Sequence, residues 1–97
     1  MTEKVLNEII NEVGLLKEHY DSFGYDFKNG KGLFVQVVNN GNGNEYFLEA
    51  NEICEDSGWE PYSEWLGFIP FGDIEKFKTE VKKFVVENNL CDILEEN

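Results

Sequence analysis

The run Leu33-Phe34-Val35-Gln36-Val37-Val38 constrains the fold more than any other stretch of the chain. It is β-branched, aromatic and apolar on both faces, and it is fenced by two Asn/Gly breaks. Asn29-Gly30-Lys31-Gly32 precedes it and Asn39-Asn40-Gly41-Asn42-Gly43-Asn44 follows it. So short a run has no room for an ordinary helix, so it reads as a central strand with a neighbour on each side. Asn and Gly tolerate positive φ, so both breaks can reverse the chain sharply.

The neighbours follow. Phe23, Tyr25 and Phe27 alternate with Gly24 and Asp26, which predicts a short strand with one aromatic face. From Glu45 to Asn51 a return strand points Tyr46, Leu48 and Ala50 one way and Glu45, Phe47, Glu49 and Asn51 the other. Three runs joined by tight turns make an antiparallel meander. Beyond it, Asn51 to Tyr62 is the least regular part, punctuated by Ser57-Gly58 and Pro61, with Ile53 and Cys54 expected inside. Trp59, Tyr62, Trp65, Phe68 and Phe71 then recur every third residue. Gly67, Pro61 and Pro70 break any continuous helix there. Residues 65–69 read as a fourth strand or as an extended cover over the sheet, and the aromatics as core or as contact.

Two amphipathic helices bracket the meander. Val5, Leu6, Ile9, Ile10, Val13 and Leu16 repeat at three and four from Thr2 to about Tyr20. Thr2 is the expected N-cap, and Gly14 is where the helix would end or bend. Asp73 caps a second helix whose stripe is Ile74, Phe77, Val81, Phe84 and Val85, with Lys76, Lys78, Lys82 and Lys83 opposite. Asn88-Asn89 closes it. Leu90, Ile93 and Leu94 suggest one more turn before Glu95-Glu96. The expected fold is α+β, a three- or four-stranded antiparallel β-meander flanked by an N-terminal and a C-terminal helix, in one domain over residues 1–97.

Charge narrows the partners. The chain carries −12 at pH 7, its bases are all Lys, and none lies between Gly32 and Glu75. That base-free middle holds Glu45, Glu49, Glu52, Glu55, Asp56, Glu60, Glu64, Asp73 and Glu75. Such a surface repels nucleic acid and anionic membrane and suits a basic protein. With 14% aromatic residues the chain is not a disordered acidic tail. Acidic side chains on one strand face can imitate DNA phosphates, and Glu45 and Glu49 share a side. As the plainer alternative, an acidic face simply keeps a small domain soluble.

Catalytic and metal chemistry is not signalled. His19 is the only histidine, with no Cys or His beside it for a zinc site. Ser22, Ser57 and Ser63 lie in no nucleophile-elbow pattern. The loop from Asn39 offers amides in place of carboxylates and lacks the calcium-loop glycine. The glycine pairs Gly30/Gly32 and Gly41/Gly43 read as turn residues, with no phosphate-loop lysine after them. No enzyme activity, cofactor or metal is expected. Cys54 and Cys91 read as free thiols of a reducing compartment, Cys54 with its pKa raised by acidic neighbours. With no signal peptide and no bilayer-length apolar run, cytoplasm is the expected location, the host's if a phage encodes the chain.

One stretch resembles a known family. Val38-Asn39-Asn40-Gly41-Asn42-Gly43-Asn44-Glu45-Tyr46 is similar to the hairpin of the small acidic phage anti-CRISPR proteins that inhibit type II effector nucleases. The order helix, three strands, helix is also similar, as is Gly58-Trp59-Glu60. The likeness covers a minority of the chain and is specific in the hairpin alone. It implies a loop, here Asn42, Gly43, Asn44 and Glu45, that reaches the nuclease catalytic domain. It also implies an acidic face, here Glu60 and Glu64, on the site that reads the short DNA motif beside the target. The chain departs from the family in a loop one residue longer, without the family's aspartate, and in more aromatics and fewer acids after Trp59.

The resulting expectation is a non-catalytic inhibitor that blocks a nucleic-acid-binding surface, with a CRISPR effector nuclease as partner. Its expected contact residues are Asn42, Gly43, Asn44, Glu45, Glu49, Glu60, Glu64 and Trp65. The alternatives are an immunity protein or antitoxin that neutralises a toxin nuclease, and a small cytosolic adaptor docking through Trp59, Tyr62 and Trp65.

Overall fold

The computed structural model describes residues 2–16, 20–27 and 29–90, and the side chains of all of these except Thr2, Glu3 and Tyr20. Helix α1 (Thr2–Gly14) leads into strands β1 (Tyr20–Asp26), β2 (Lys31–Asn39), β3 (Gly43–Cys54) and β4 (Gly58–Pro70), and helix α2 (Ile74–Glu87) follows. The sheet order is β1-β2-β3-β4 and every pair is antiparallel, so the fold is α+β with a four-stranded meander.

Helix α1 stops at the glycine that the sequence marks, short of Tyr20. Leu15 and Leu16 tighten its last turn by donating to the carbonyls of Glu12 and Val13. The side chain of the expected Thr2 cap lies outside what the structure describes, as do His19, Cys91, Ile93 and Leu94. Helix α2 begins where Asp73 accepts a hydrogen bond from the Lys76 amide at 3.1 Å. It ends at Asn88, and Asn89 takes a left-handed φ of 52°.

The core lies between the helices and one face of the sheet. Leu6, Ile9, Val13 and Leu16 come from the first helical segment, and Phe77, Val81, Phe84 and Val85 from α2. Leu33, Val35, Val37, Tyr46, Leu48 and Ala50 meet them from the central strands. The Tyr46 and Phe77 rings sit 5.4 Å apart. Leu90, just past α2, is fully buried too. The shortest extent of the molecule, 18 Å, fits one sheet and one helix layer, with no room for a third.

The structure corrects the sequence reading in three places. The irregular stretch after Asn51 is regular: β3 runs on to Cys54, turns through Glu55-Asp56-Ser57, and returns as the full length of β4. Ile53, expected inside, is 56% exposed, because alternation along β3 puts it on the face of the sheet turned away from the helices, opposite Trp59. Ile74, expected on the α2 stripe, is 58% exposed at the first turn of the helix.

Candidate functional site

Strand alternation gives the sheet two chemically different faces. The helix side takes Phe23, Tyr25, Leu33, Val35, Val37, Tyr46, Leu48 and Ala50. The other side has no described element over it. Its cross-strand rows follow from the register. Val38, Glu45 and Phe68 form one row; Ser22, Gln36, Phe47 and Leu66 the next; Gly24, Phe34, Glu49 and Glu64 the third. Asp26, Gly32 and Asn51 continue toward the far end. Among the described strands Lys31 is the only base, and it points to the helix side. Among the described residues the open face therefore carries carboxylates, apolar side chains and the neutral Ser22, Gln36 and Asn51, and no cation. Leu66 is 64% exposed on it, and Phe68 and Trp59 are also exposed.

Glu49 and Glu64 stand directly opposite each other on β3 and β4, and so do Glu52 and Glu60. Like charges placed this way weaken a strand pair. Neither Glu49 nor Glu64 has a side-chain partner among the described residues. Glu45 receives the Asn40 amide at 3.5 Å.

The β2–β3 turn is tied down. The Asn40 amide donates to the Gly43 carbonyl at 2.9 Å, and the Gly41 amide to Asn39 Oδ1 at 2.9 Å. Gly41 adopts φ 88°, which the turn requires and an L side chain resists. The Asn42 carbonyl accepts from the Phe71 amide, and Asn44 Nδ2 donates to the Tyr46 hydroxyl. Gly43 is buried: a Cβ there would fall on the Ile69 carbonyl and 2.7 Å from Pro70 Cα.

At the opposite end of β3, Cys54 is half-buried beside Glu60 and Glu52. Desolvation, then the Glu60 and Glu52 carboxylates, push its thiol pKa up. Ser57 donates a short hydrogen bond to Glu60. The register slips between Ala50 and Asn51, leaving Tyr62 as the extra residue of β4. Tyr62 lies on the helix side, where its hydroxyl donates to the Asn88 carbonyl at 2.7 Å and Lys31 Nζ sits 4.9 Å from its ring centre.

The eight expected contact residues do not form one site. Glu45, Glu49 and Glu64 share the open face. Asn42 is exposed at the turn, and Gly43 is packed beneath β4. Asn44 and Trp65 point to the helix side, Trp65 half-buried against the core with its indole over Gly67. Glu60 lies near the β3–β4 turn. The aromatic trio of the adaptor reading is also divided, with Trp59 on one face and Tyr62 and Trp65 on the other. The sequence reading omitted Phe34, Leu66 and Phe68 from the face. Their alternation with Glu49, Glu64 and Glu45 becomes visible only once β4 is in register.

On the helix side a groove of about 680 Å³ opens between the end of α1 and the start of α2, edged by Leu15, Phe71 and Ile74. Among the described residues no group of His, Cys, Asp or Glu is arranged to hold a metal ion. No described helix is long and apolar enough to cross a membrane. No family model matches the chain, and no curated protein or solved structure matches it either.

Proposed function

We propose that the chain is a non-catalytic inhibitor that uses the open sheet face to occupy a basic, nucleic-acid-binding surface. A CRISPR effector nuclease is the first target to test. The observation that carries this reading is a sheet face, without a cation among its described residues, on which Glu45, Glu49 and Glu64 alternate with Phe34, Phe47, Leu66 and Phe68. Carboxylates there would compete with phosphates for the target's Lys and Arg side chains. Glu45 and Glu49 are roughly 13 Å apart along β3 at about 3.3 Å per residue, with Phe47 between them. The face thus offers separated charges bedded in apolar contact, a pattern suited to a protein surface. The hairpin resemblance supports the choice of target.

Pull-down with purified type II effector nucleases, at low and at high salt, tests it. Binding should weaken as salt rises, and Glu45→Lys with Glu49→Lys should abolish it. Binding indifferent to both would end the reading. Capture of toxin nucleases instead would keep the face and change the target to that of an immunity protein.

A further inference from the structure

Two glycines on the open face are diagonal neighbours. Gly24 pairs with Phe34, and Gly32 with Asp26, on adjacent strands. Neither supplies a side chain, so the sheet is bare between Phe34 and Trp59. The result is a trough of about 490 Å³ whose lining includes Gly24, Gly32, Phe34, Glu49, Asn51 and Trp59. The six-membered ring of Trp59 passes over Gly32, where an added Cβ would meet its Cζ3 at 3.4 Å. Above Gly24 an added Cβ would meet nothing within 4 Å. The floor is backbone, Phe34 and Trp59 line it together with Asp26 and Asn51, and Glu49 sits at one side with no side-chain partner among the described residues.

We infer that this trough takes an arginine side chain of the basic partner, stacked against Trp59 and Phe34 and paired with Glu49. The inference rests on the binding role proposed for the face and names its anchor. A trough this shape, between two rings, suits a planar group. A guanidinium is planar, weakly hydrated and able to stack on rings while donating two hydrogen bonds to one carboxylate. The Asn51 side-chain oxygen is a further acceptor at the same site. An ammonium is compact and strongly hydrated and gains less from such walls. The charge of −12 and the absence of any base among the described residues of the face supply the complementarity.

The test uses the full chain with acetylated oligoarginine and oligolysine amides of equal length, followed by proton–nitrogen NMR. Oligoarginine should shift the Trp59 indole and the Gly24 and Gly32 amides saturably. Its binding should be about tenfold tighter than that of oligolysine, near 1.4 kcal/mol. Gly24→Val fills the trough without a backbone clash, and a β-branched residue suits a strand. It should weaken oligoarginine about tenfold while the thermal midpoint holds or rises. Glu49→Gln should weaken it by a similar factor. Equal affinity for the two peptides, unaffected by Gly24→Val, would overturn the inference and leave only diffuse charge attraction. The nuclease pull-down fails separately. If the trough binds oligoarginine and no nuclease is captured, the target reading falls and the trough stands. If nuclease is captured equally by wild type and Gly24→Val, the trough falls and the face stands.

Discussion

Gly43 is the residue whose role the structure changes most. As a turn residue it reads as permissive backbone, yet it is fixed by what lies across from it. Gly43→Ala would drive a methyl into the Ile69 carbonyl and the Pro70 backbone, neither of which can swing aside. Overpacking of this kind costs about 3 kcal/mol, and urea unfolding should show that loss. Gly41→Ala meets no atom within 4 Å, and its φ of 88° alone should cost about 1 kcal/mol. Equal losses for the two would show that the contact with β4 is unimportant. Cys54 makes a second residue-level prediction. Its thiol is held neutral by desolvation, Glu60 and Glu52. In a Cys91→Ser background it should react with iodoacetamide more slowly than free cysteine at neutral pH, and Glu60→Gln should speed it. Because the folded pKa is raised, this group favours folding below the unfolded thiol pKa. That advantage is lost as pH rises through the folded value.

At the scale of elements, β3 and β4 hold a built-in conflict. Glu64→Lys should replace the Glu49/Glu64 repulsion with an attractive pair and raise stability by roughly 0.5–1 kcal/mol. The same change should weaken capture of a basic target. Thermal unfolding and pull-down on one protein would show both, and a Glu64→Lys protein that binds better would contradict the role given to the face. This strand pair also shows where the sequence stops being legible. The two helices, the first three strands and the places of both Asn/Gly breaks follow from short-range pattern, although Asn39, Gly43 and Asn44 belong to strands and Ile53 and Ile74 are exposed. Strand β4 does not. Its aromatics recur every third residue, a period that no regular strand has. Tyr62, the bulged residue, resolves it: Trp59 faces outward, Tyr62 and Trp65 inward, Phe68 outward again. Pro61 argues against a central strand, and β4 is an edge strand, where a missing amide is tolerated. Pairing between distant residues decided this, so local pattern was silent. The acidic half of the face was readable from charge alone, whereas the glycine-floored trough required β1 and β2 in register.

For the whole molecule, charge sets two opposing responses to salt. With −12 on 97 residues, self-repulsion works against the compact state. Shortening the screening distance from about 30 Å at 0.01 M to about 8 Å at 0.15 M should relieve it and raise the thermal midpoint by a few degrees. Target binding should weaken over the same range. Two titrations that moved together would mean that the charges governing stability and binding are different sets. The described bases other than Lys31 all lie on the helices, which leaves the sheet face as the strongly negative side. The meander has a further consequence for a chain under synthesis. Strands emerge in the order in which they lie, so each can zip onto the one before it as soon as it leaves the ribosome. The sheet ends at Pro70, and the residues of α2 that cover it, Phe77, Val81, Phe84 and Val85, come later in the chain. Until α2 docks, Tyr46 lacks the Phe77 ring that packs on it. The interval between pairing of the sheet and docking of α2 is therefore when this protein is most exposed to chaperones, proteases and its own neighbours.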